Sequence, residues 1–518
     1  MSGNTSDTRW QREFALLVLP AFTLFALGMG RNSHFLFDDG DTNWHIATGR
    51  WILAHGAVPA TDPFSYTAAG QPWVTHEWLS EVFMALAYNA MGWGGLALLT
   101  SLAAAAVAVL LANALRKKMS ILGVAVALIM AGALFLPHYL ARPHVIALPL
   151  LVFWTLALMK AVDQKGMPAL WLLPLMAVWA NLHGSFIFGL VFTAFFALDA
   201  VLTARNQVAA LRPSRQDEQS LSLTARAQAW ISREFHVFLS REVVTTALHW
   251  GAFLVAAVVM AMVTPDGLAG LLYPFHVMSM KDLQSIAEWR PENFQKLSAL
   301  QVALFATLAI CLYRGVRLPA ARLGLLLLLL YMALQHMRQE FILAATAPLL
   351  LANSFAKPQG SELADFAAPI PYKAMLVPAA VFAVFFLGIT AWRLAWHETR
   401  TDQTTVPVSA LNHVPPELRG KPVFNDYSFG GWLILQGVKP FMDGRSDMYG
   451  DDLLRLYIEV NDGDRKAFNT ASNRFHMQWT ILAPSSPLVK VLDTMPGWHR
   501  IYADKWAVVQ SRINPAGQ

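Results

Sequence analysis

Long apolar runs alternate with short polar segments through the first three quarters of the chain. Crossing a hydrocarbon core takes about 20 apolar residues, and on that measure the pattern predicts about eleven membrane-spanning helices. They centre near Leu24, Leu98, Ile129, Phe153, Leu175, Phe195, Val255, Leu304, Leu328, Ala345 and Val381, several of them short or interrupted by proline. A long polar loop, residues 31–78, separates the first two. Inside it Trp44, His45, Ile46, Gly49, Ile52 and Leu53 recur at helical spacing. That spacing predicts a short helix lying along the membrane surface. Pro59, Asp62-Pro63 and Gly70-Gln71-Pro72 then impose turns. Beyond Trp392 the period changes. Short β-rich runs at 422–424, 432–435, 479–482 and 506–509 alternate with helical stretches at 451–459 and 487–493. The alternation predicts an α/β unit. Within it, residues 423–445 read as strands with a glycine-rich turn that faces the membrane region. The fold expectation is therefore a polytopic α-helical membrane region, 1–393, followed by a C-terminal α/β domain, 394–518.

Composition strengthens the membrane reading. Of 518 residues 55% are hydrophobic and only 14% charged, against about 25% charge in a soluble domain. Eighteen Trp suit interfacial belts. The one cysteine, Cys311, excludes an intramolecular disulfide and a Cys-based metal site. The net charge of +5 comes mostly from short loops and is not a nucleic-acid signature. Arg9 and Arg12, Arg116 to Lys118, Lys160 and Lys165, the segment 205–241, Arg314 to Arg322, and Lys357 with Lys373 fall in alternate loops. The positive-inside rule then places the N-terminus inside and the tail outside. The segment 205–241 mixes charge with Leu, Trp and Phe, which fits either a surface amphipathic helix or a solvated loop.

On this topology the chemically capable side chains gather at the outer face. Asp38, Asp39 and Asp41 put three carboxylates within four residues, where a cation, a raised pKa or open water must relieve repulsion. His45, Asp62, His76 and Glu77 share the loop. Arg142 with His144, His183, Glu288, and His336 with Arg338 lie in later outer segments. The tail adds Asp443-Gly444-Arg445, which also reads as a simple hairpin turn. No Walker or Rossmann fingerprint occurs, so nothing points to nucleotide binding.

The stretches Asp39-x-Asp41-x-x-Trp44-His45-Ile46, Thr61-Asp62-Pro63-Phe64-Ser65-Tyr66 and His76-Glu77-Trp78 carry a resemblance, together with Arg142-Pro143-His144, Asn181-Leu182-His183-Gly184, Glu288-Trp289 and the Asp443-Gly444-Arg445 tail. In this order the chain resembles a bacterial group within the GT-C superfamily of polytopic glycosyltransferases. More faintly it is similar to the catalytic subunit of oligosaccharyltransferase, although the loop before the fourth span lacks an acidic DxD pair and the tail lacks tandem Trp. The resemblance implies a multi-pass protein of the bacterial inner membrane, its C-terminal domain periplasmic. It implies inverting sugar transfer from a polyprenyl-phosphate-linked donor to a glycan, lipid or protein acceptor. The expected base is Asp39, then Asp41, then Asp38. Arg142, His144, His336 and Arg338 are the expected donor-phosphate ligands, and His45, Asp62, His76, Glu77, His183, Glu288, Asp443 and Arg445 acceptor or supporting groups. No cofactor is fixed by the resemblance, and a divalent Mg or Mn held by Asp39, Asp41 and Glu288 stays open. Two other classes stay open: a transporter or flippase of a lipid-linked glycan, and a non-catalytic envelope-assembly protein.

Overall fold

A computed structural model describes residues 17–31, 33–211, 222–280, 287–355, 372–396 and 398–512. The chain is a helical membrane protein. Its helices run α1 Leu17–Met29, α2 Asp41–His55, α3 Trp78–Leu115, α4 Ile121–Phe135, α5 Pro143–Asp163, α6 Leu172–Leu182, α7 Phe186–Ala210, α8 Leu223–Phe238, α9 Arg241–Ala261, α10 Leu268–Ser279, α11 Ala299–Arg314, α12 Ala320–Gln335, α13 Glu340–Ala352 and α14 Tyr372–Ala395. Five segments are long and apolar enough to cross a membrane: α3, α4 with the turn to His138, α5, α7 and α9. Shorter apolar helices accompany them. Each of the eleven centres read from the sequence lies inside a helix. One helix, α10, falls where an outer loop was expected, because its 12 residues are too few to span a membrane and Pro274 interrupts them.

Two breaks shape the site. Gly92, at φ 58 and ψ −147, bends α3, so residues 78–90 lead off at an angle to the rest of the helix. Only glycine occupies that backbone region without strain. The second break is at Arg142, whose extended backbone precedes Pro143 at the first position of α5. Proline disfavours the helical region for the residue before it, so the chain enters α5 sharply and Arg142 points off its end. Further along the helices, Arg322 on α12 binds Asp199 on α7 at 2.7 Å and Asp163 of α5 at 3.1 Å. Asp199 lies 13 residues from the cavity end of α7, about 20 Å at 1.5 Å per residue. This buried pairing ties three helices together far from the cavity.

The segment 205–241, left open by its composition, contains α8, with Ile231, Phe235 and Phe238 exposed and Glu234 paired with Arg205. Residues 212–221 of it lie outside the described residues, as do Arg9, Arg12 and Lys357.

The tail contains short helices α15 Val408–Asn412, α16 Pro416–Arg419, α17 Gly430–Leu435, α18 Ser446–Asn461, α19 Arg465–Phe475 and α20 Pro487–Asp493. Its strands are β1 Val423–Asn425, β2 Trp479–Leu482, β3 His499–Ala503 and β4 Val508–Ser511. The sheet order is β1-β2-β4-β3, with β1 parallel to β2 and the other pairs antiparallel. Residues 432–435, expected as a strand, form α17. A four-residue apolar run carries no period of its own. Its neighbours decide, and here Trp432 to Ile434 are buried between α2 and the sheet. Most of 423–445 is accordingly turn and helix, with only β1 extended. The apolar core runs unbroken from the membrane helices into the tail: Phe25, Phe37, Met84 and Trp93 belong to one buried cluster with Trp432, Trp479 and Val509.

Candidate functional site

A cavity of about 1060 Å³ lies where the outer loop, the helix ends and the tail meet. Its polar end is built around Arg142. The guanidinium forks onto Asp39 through Nε and Nη2, approaches Asp41 Oδ2 at 3.1 Å and binds Glu288 Oε1 at 2.8 Å. Two neighbouring carboxylates of the first loop and a third from far along the chain therefore close on one cation. Asp39 is held further by the Asp41 amide at 3.2 Å and the Thr42 hydroxyl at 3.3 Å. Asp41 opens α2 and, among the described residues, accepts the Trp44 indole N–H at 3.1 Å besides the arginine. Arg338 is freer. It sits over the Trp289 ring at 5.4 Å and reaches Glu288 at 3.9 Å.

The two aspartates are driven apart electrostatically. Burial alone would raise Asp39, but the adjoining Arg142 outweighs it and holds the carboxyl below its usual value. Asp41 is pushed up to about 7, first by burial and then by the negative charges of Asp39 and Glu288, which Arg142 only partly offsets. Glu288 stays below its usual value because Arg142 and Arg338 overcome its burial.

A second polar group lines the same cavity. Glu77 Oε1 lies 3.2 Å from His183 Nε2 and 3.4 Å from His76 Nε2; its Oε2 lies 3.7 Å from His45 Nε2. His45 Nδ1 meets Glu81 at 3.1 Å. His183 Nδ1 accepts the Ser185 amide, so its proton sits on Nε2 and is given to Glu77. Burial opposes charge on Glu77, yet His76 and His183 hold its pKa well below the ordinary value. Burial takes His45 down to about 3 and His183 to about 4, so both are neutral at pH 7. His144 lines the cavity with Nε2 at 2.9 Å from the His138 carbonyl.

Of the remaining sequence candidates, Asp38 and Arg445 also line the cavity, and His336, Asp62 and Asp443 lie behind its wall. His336 Nδ1 lies 2.9 Å from the Trp289 carbonyl and joins two turns. Asp38 accepts the Thr404 hydroxyl at 2.9 Å on the rim. Asp62 and Asp443 are buried under the floor. Both grip Arg445, Asp62 through Nη1 at 2.7 Å and Asp443 through Nε and Nη2 at 2.8 and 2.7 Å. The Arg445 guanidinium also stacks on Trp73 at 4.7 Å. Asp443 and Arg445 thus pair as a turn would have them, and in addition lock the tail to the first loop. That lock brings Gly444 so close that a Cβ there would lie 1.7 Å from Asp41 Oδ1. Gly431 likewise faces the Gly40 carbonyl, 2.0 Å from where its Cβ would be.

Sequence reading missed Glu81 and Tyr457, which line the cavity; Tyr427 and Asp447, in the tail stretches 425–432 and 443–447 that the sequence singled out, line it too. Glu81 was findable: it stands four residues after Glu77, one helical turn away. Tyr457 carries no local signal.

The cavity has a third part. Ile187, Phe188 and Val191 of α7, Phe275 and Met278 of α10, and Leu328 and Met332 of α12 form an apolar arm leading off from the polar end. A divalent cation does not fit among Asp39, Asp41 and Glu288 while Arg142 fills their centre, and among the described residues no group of three His, Cys, Asp or Glu side chains is arranged to hold a metal ion. No protein-family model matches the chain, and no characterised protein matches it in sequence at a significant level.

Proposed function

We propose that the protein transfers a glycosyl group from a polyprenyl-phosphate-linked donor to an acceptor at the outer face of a bacterial inner membrane. The observation that carries this reading is the union, in one cavity, of an apolar arm between α7, α10 and α12 with an arginine–carboxylate cluster. An isoprenoid chain fits the arm, and its phosphate then meets the cluster.

The geometry redistributes the roles expected from sequence. Asp39 is committed to Arg142 by a two-point fork, and its depressed pKa makes it a weak base. Asp41 has fewer partners and a pKa near 7, where a general base works best. Asp41 is therefore the base. It takes the acceptor proton as the acceptor atom attacks the anomeric carbon. The bond from that carbon to the phosphate oxygen breaks, and its electron pair leaves with the phosphate. Attack opposite the leaving group inverts the configuration.

Arg142 has its N–H groups engaged by carboxylates and serves as the rigid centre of the cluster. Arg338, whose ion pair with Glu288 is long, is the donor aimed at growing charge on the departing phosphate. Glu77 and its histidines form the opposite wall, suited to hydroxyl groups. The alternating basic loops support an N-terminus inside and a tail in the periplasm.

The test is reconstitution of the full chain in vesicles holding a polyprenyl-phosphate-linked sugar. The expected result is cleavage of the sugar–phosphate bond with release of polyprenyl phosphate. Movement of intact lipid-linked sugar between leaflets, without cleavage, would replace this reading by that of a transporter.

A further inference from the structure

Outside the cavity a second group of cations stands where α1, the bend of α3 and α14 converge. Arg393, near the end of α14, is fully buried. Its Nη2 meets Glu398 and lies 3.4 Å from the Ser33 hydroxyl, but Nε and Nη1 have no hydrogen-bond partner. Arg400 gives Nη2 to the Phe37 carbonyl at 2.9 Å and to Gln403 at 2.7 Å, while its Nε is also buried and unpartnered. The two guanidinium groups dock at opposite ends of one 3₁₀ turn, Ser33–Phe37. At about 2 Å per residue those ends are about 8 Å apart. Arg31 stands at the edge, exposed, 5.8 Å from the centre of the Trp396 ring that Arg393 also approaches.

These N–H groups present an unmet demand. A buried donor without an acceptor costs about 1–3 kcal/mol, more when charged. Glu398 and Asp38 are the nearby acids, and Asp38 is turned to Thr404. Three arginines against two acids leave positive charge uncompensated. Burial accordingly depresses Arg400 below its usual value despite Glu398 and Asp38. Topology does not call for arginine at this face, since the positive-inside rule favours the opposite one. Trp93, Trp392 and Trp396 surround the group, and Trp392 is half exposed, as at a headgroup boundary.

We propose that Arg400, with Arg31 at the rim and Arg393 buried behind them, binds the phosphate of an anionic phospholipid from the adjoining leaflet. The headgroup meets the two reachable guanidinium groups and offsets the charge of the buried one. Arg400 then anchors the stretch that continues through Thr404 and Thr405 to the cavity rim, so the bound lipid braces the tail's attachment to the first loop. The site stands independently of the transfer reaction.

Native mass spectrometry of the full chain, released from detergent with added phosphatidylglycerol, phosphatidylcholine or soluble glycerol phosphate, tests it. Wild type is expected to retain one phosphatidylglycerol in preference to the other two. Arg400→Gln should cut retention about tenfold or more, the value of a charge-assisted hydrogen bond. Arg31→Gln should weaken it less, and Arg338→Gln, at the separate cavity, should leave it intact. Should Arg393→Gln fail to fold, the Arg400 and Arg31 variants decide. Equal retention of phosphatidylcholine, equal retention of glycerol phosphate, unchanged retention by Arg400→Gln, or loss on Arg338→Gln would each overturn the proposal.

Discussion

At the scale of the residue, Asp39 and Asp41 differ by two positions and take different parts because one guanidinium treats them differently. Sequence offered both as bases and ranked Asp39 first. What it could not show was Arg142, 103 residues away, spending its fork on Asp39. The consequence is measurable. Asp41→Asn should lower transfer by about 10²–10⁴, the usual worth of a general base. Asp39→Asn should act mainly by releasing Arg142, and its loss should be accompanied by lowered thermal stability. The pH dependence follows from the same charges. With Asp41 at about 7, transfer should rise as pH passes through 7 and level off above it. The sign for stability is opposite. A carboxyl raised in the folded state binds its proton there while the unfolded chain has lost it. Stability therefore falls as pH climbs from the ordinary aspartate value toward 7. Asp41→Asn removes that loss, so the inactive variant should melt above wild type at pH 8. A variant that melts lower at pH 8 would show that Asp41 is not the strained acid.

At the scale of the element, what was legible followed periodicity. The centres of the apolar runs, the helix α2 and the tail helix α20 all emerge from spacing; α2, expected along the membrane surface, is instead buried between α3 and α17. Failures occurred where length and period were silent: residues 432–435, too short to carry a period, and α10, an apolar run too short to span and interrupted by Pro274. The packing of α17 on α2 was visible only as the pair Gly430-Gly431. In the structure Gly431 faces the Gly40 carbonyl, and Gly444, in the turn before α18, faces the Asp41 carboxylate. Substitutions separate the two contacts. Gly431→Val meets rigid backbone and should cost stability, by about 1–3 kcal/mol for an overpacked contact. Gly444→Ala meets the end of a side chain, which can turn aside. It should leave the melting temperature near that of wild type but reduce transfer by up to about 10²-fold, since displacement of about 1 Å is enough for that. A matching fall in both measures would mean that Gly444 is merely a packing position.

At the scale of the whole molecule, the question is whether the tail is an appendage or part of the site. Its order along the chain suggested a separate domain, and composition changes near residue 394. The core does not respect that boundary, and neither does the Arg445 clasp. Asp62 belongs to the first loop, Asp443 and Arg445 to the tail, and all three are buried within a few per cent of full exclusion from solvent. Removing the arginine leaves two carboxylates inside without a counter-charge. Breaking a buried pair in this way costs about 3–5 kcal/mol. Arg445→Ala should therefore loosen the tail from the first loop, seen as faster proteolysis between residues 394 and 445. Asp41 loses the wall provided by Gly444, so transfer should fall as well. Binding of the lipid donor should persist, because the apolar arm and Arg338 belong to the membrane helices. The double change Asp62→Asn with Asp443→Asn, which removes both acids but leaves the arginine, should also weaken the clasp, by stranding the opposite charge. If Arg445→Ala leaves proteolysis and transfer as in wild type, the tail is an independent domain. Equal loss of donor binding and transfer would instead mark general unfolding of the helical region.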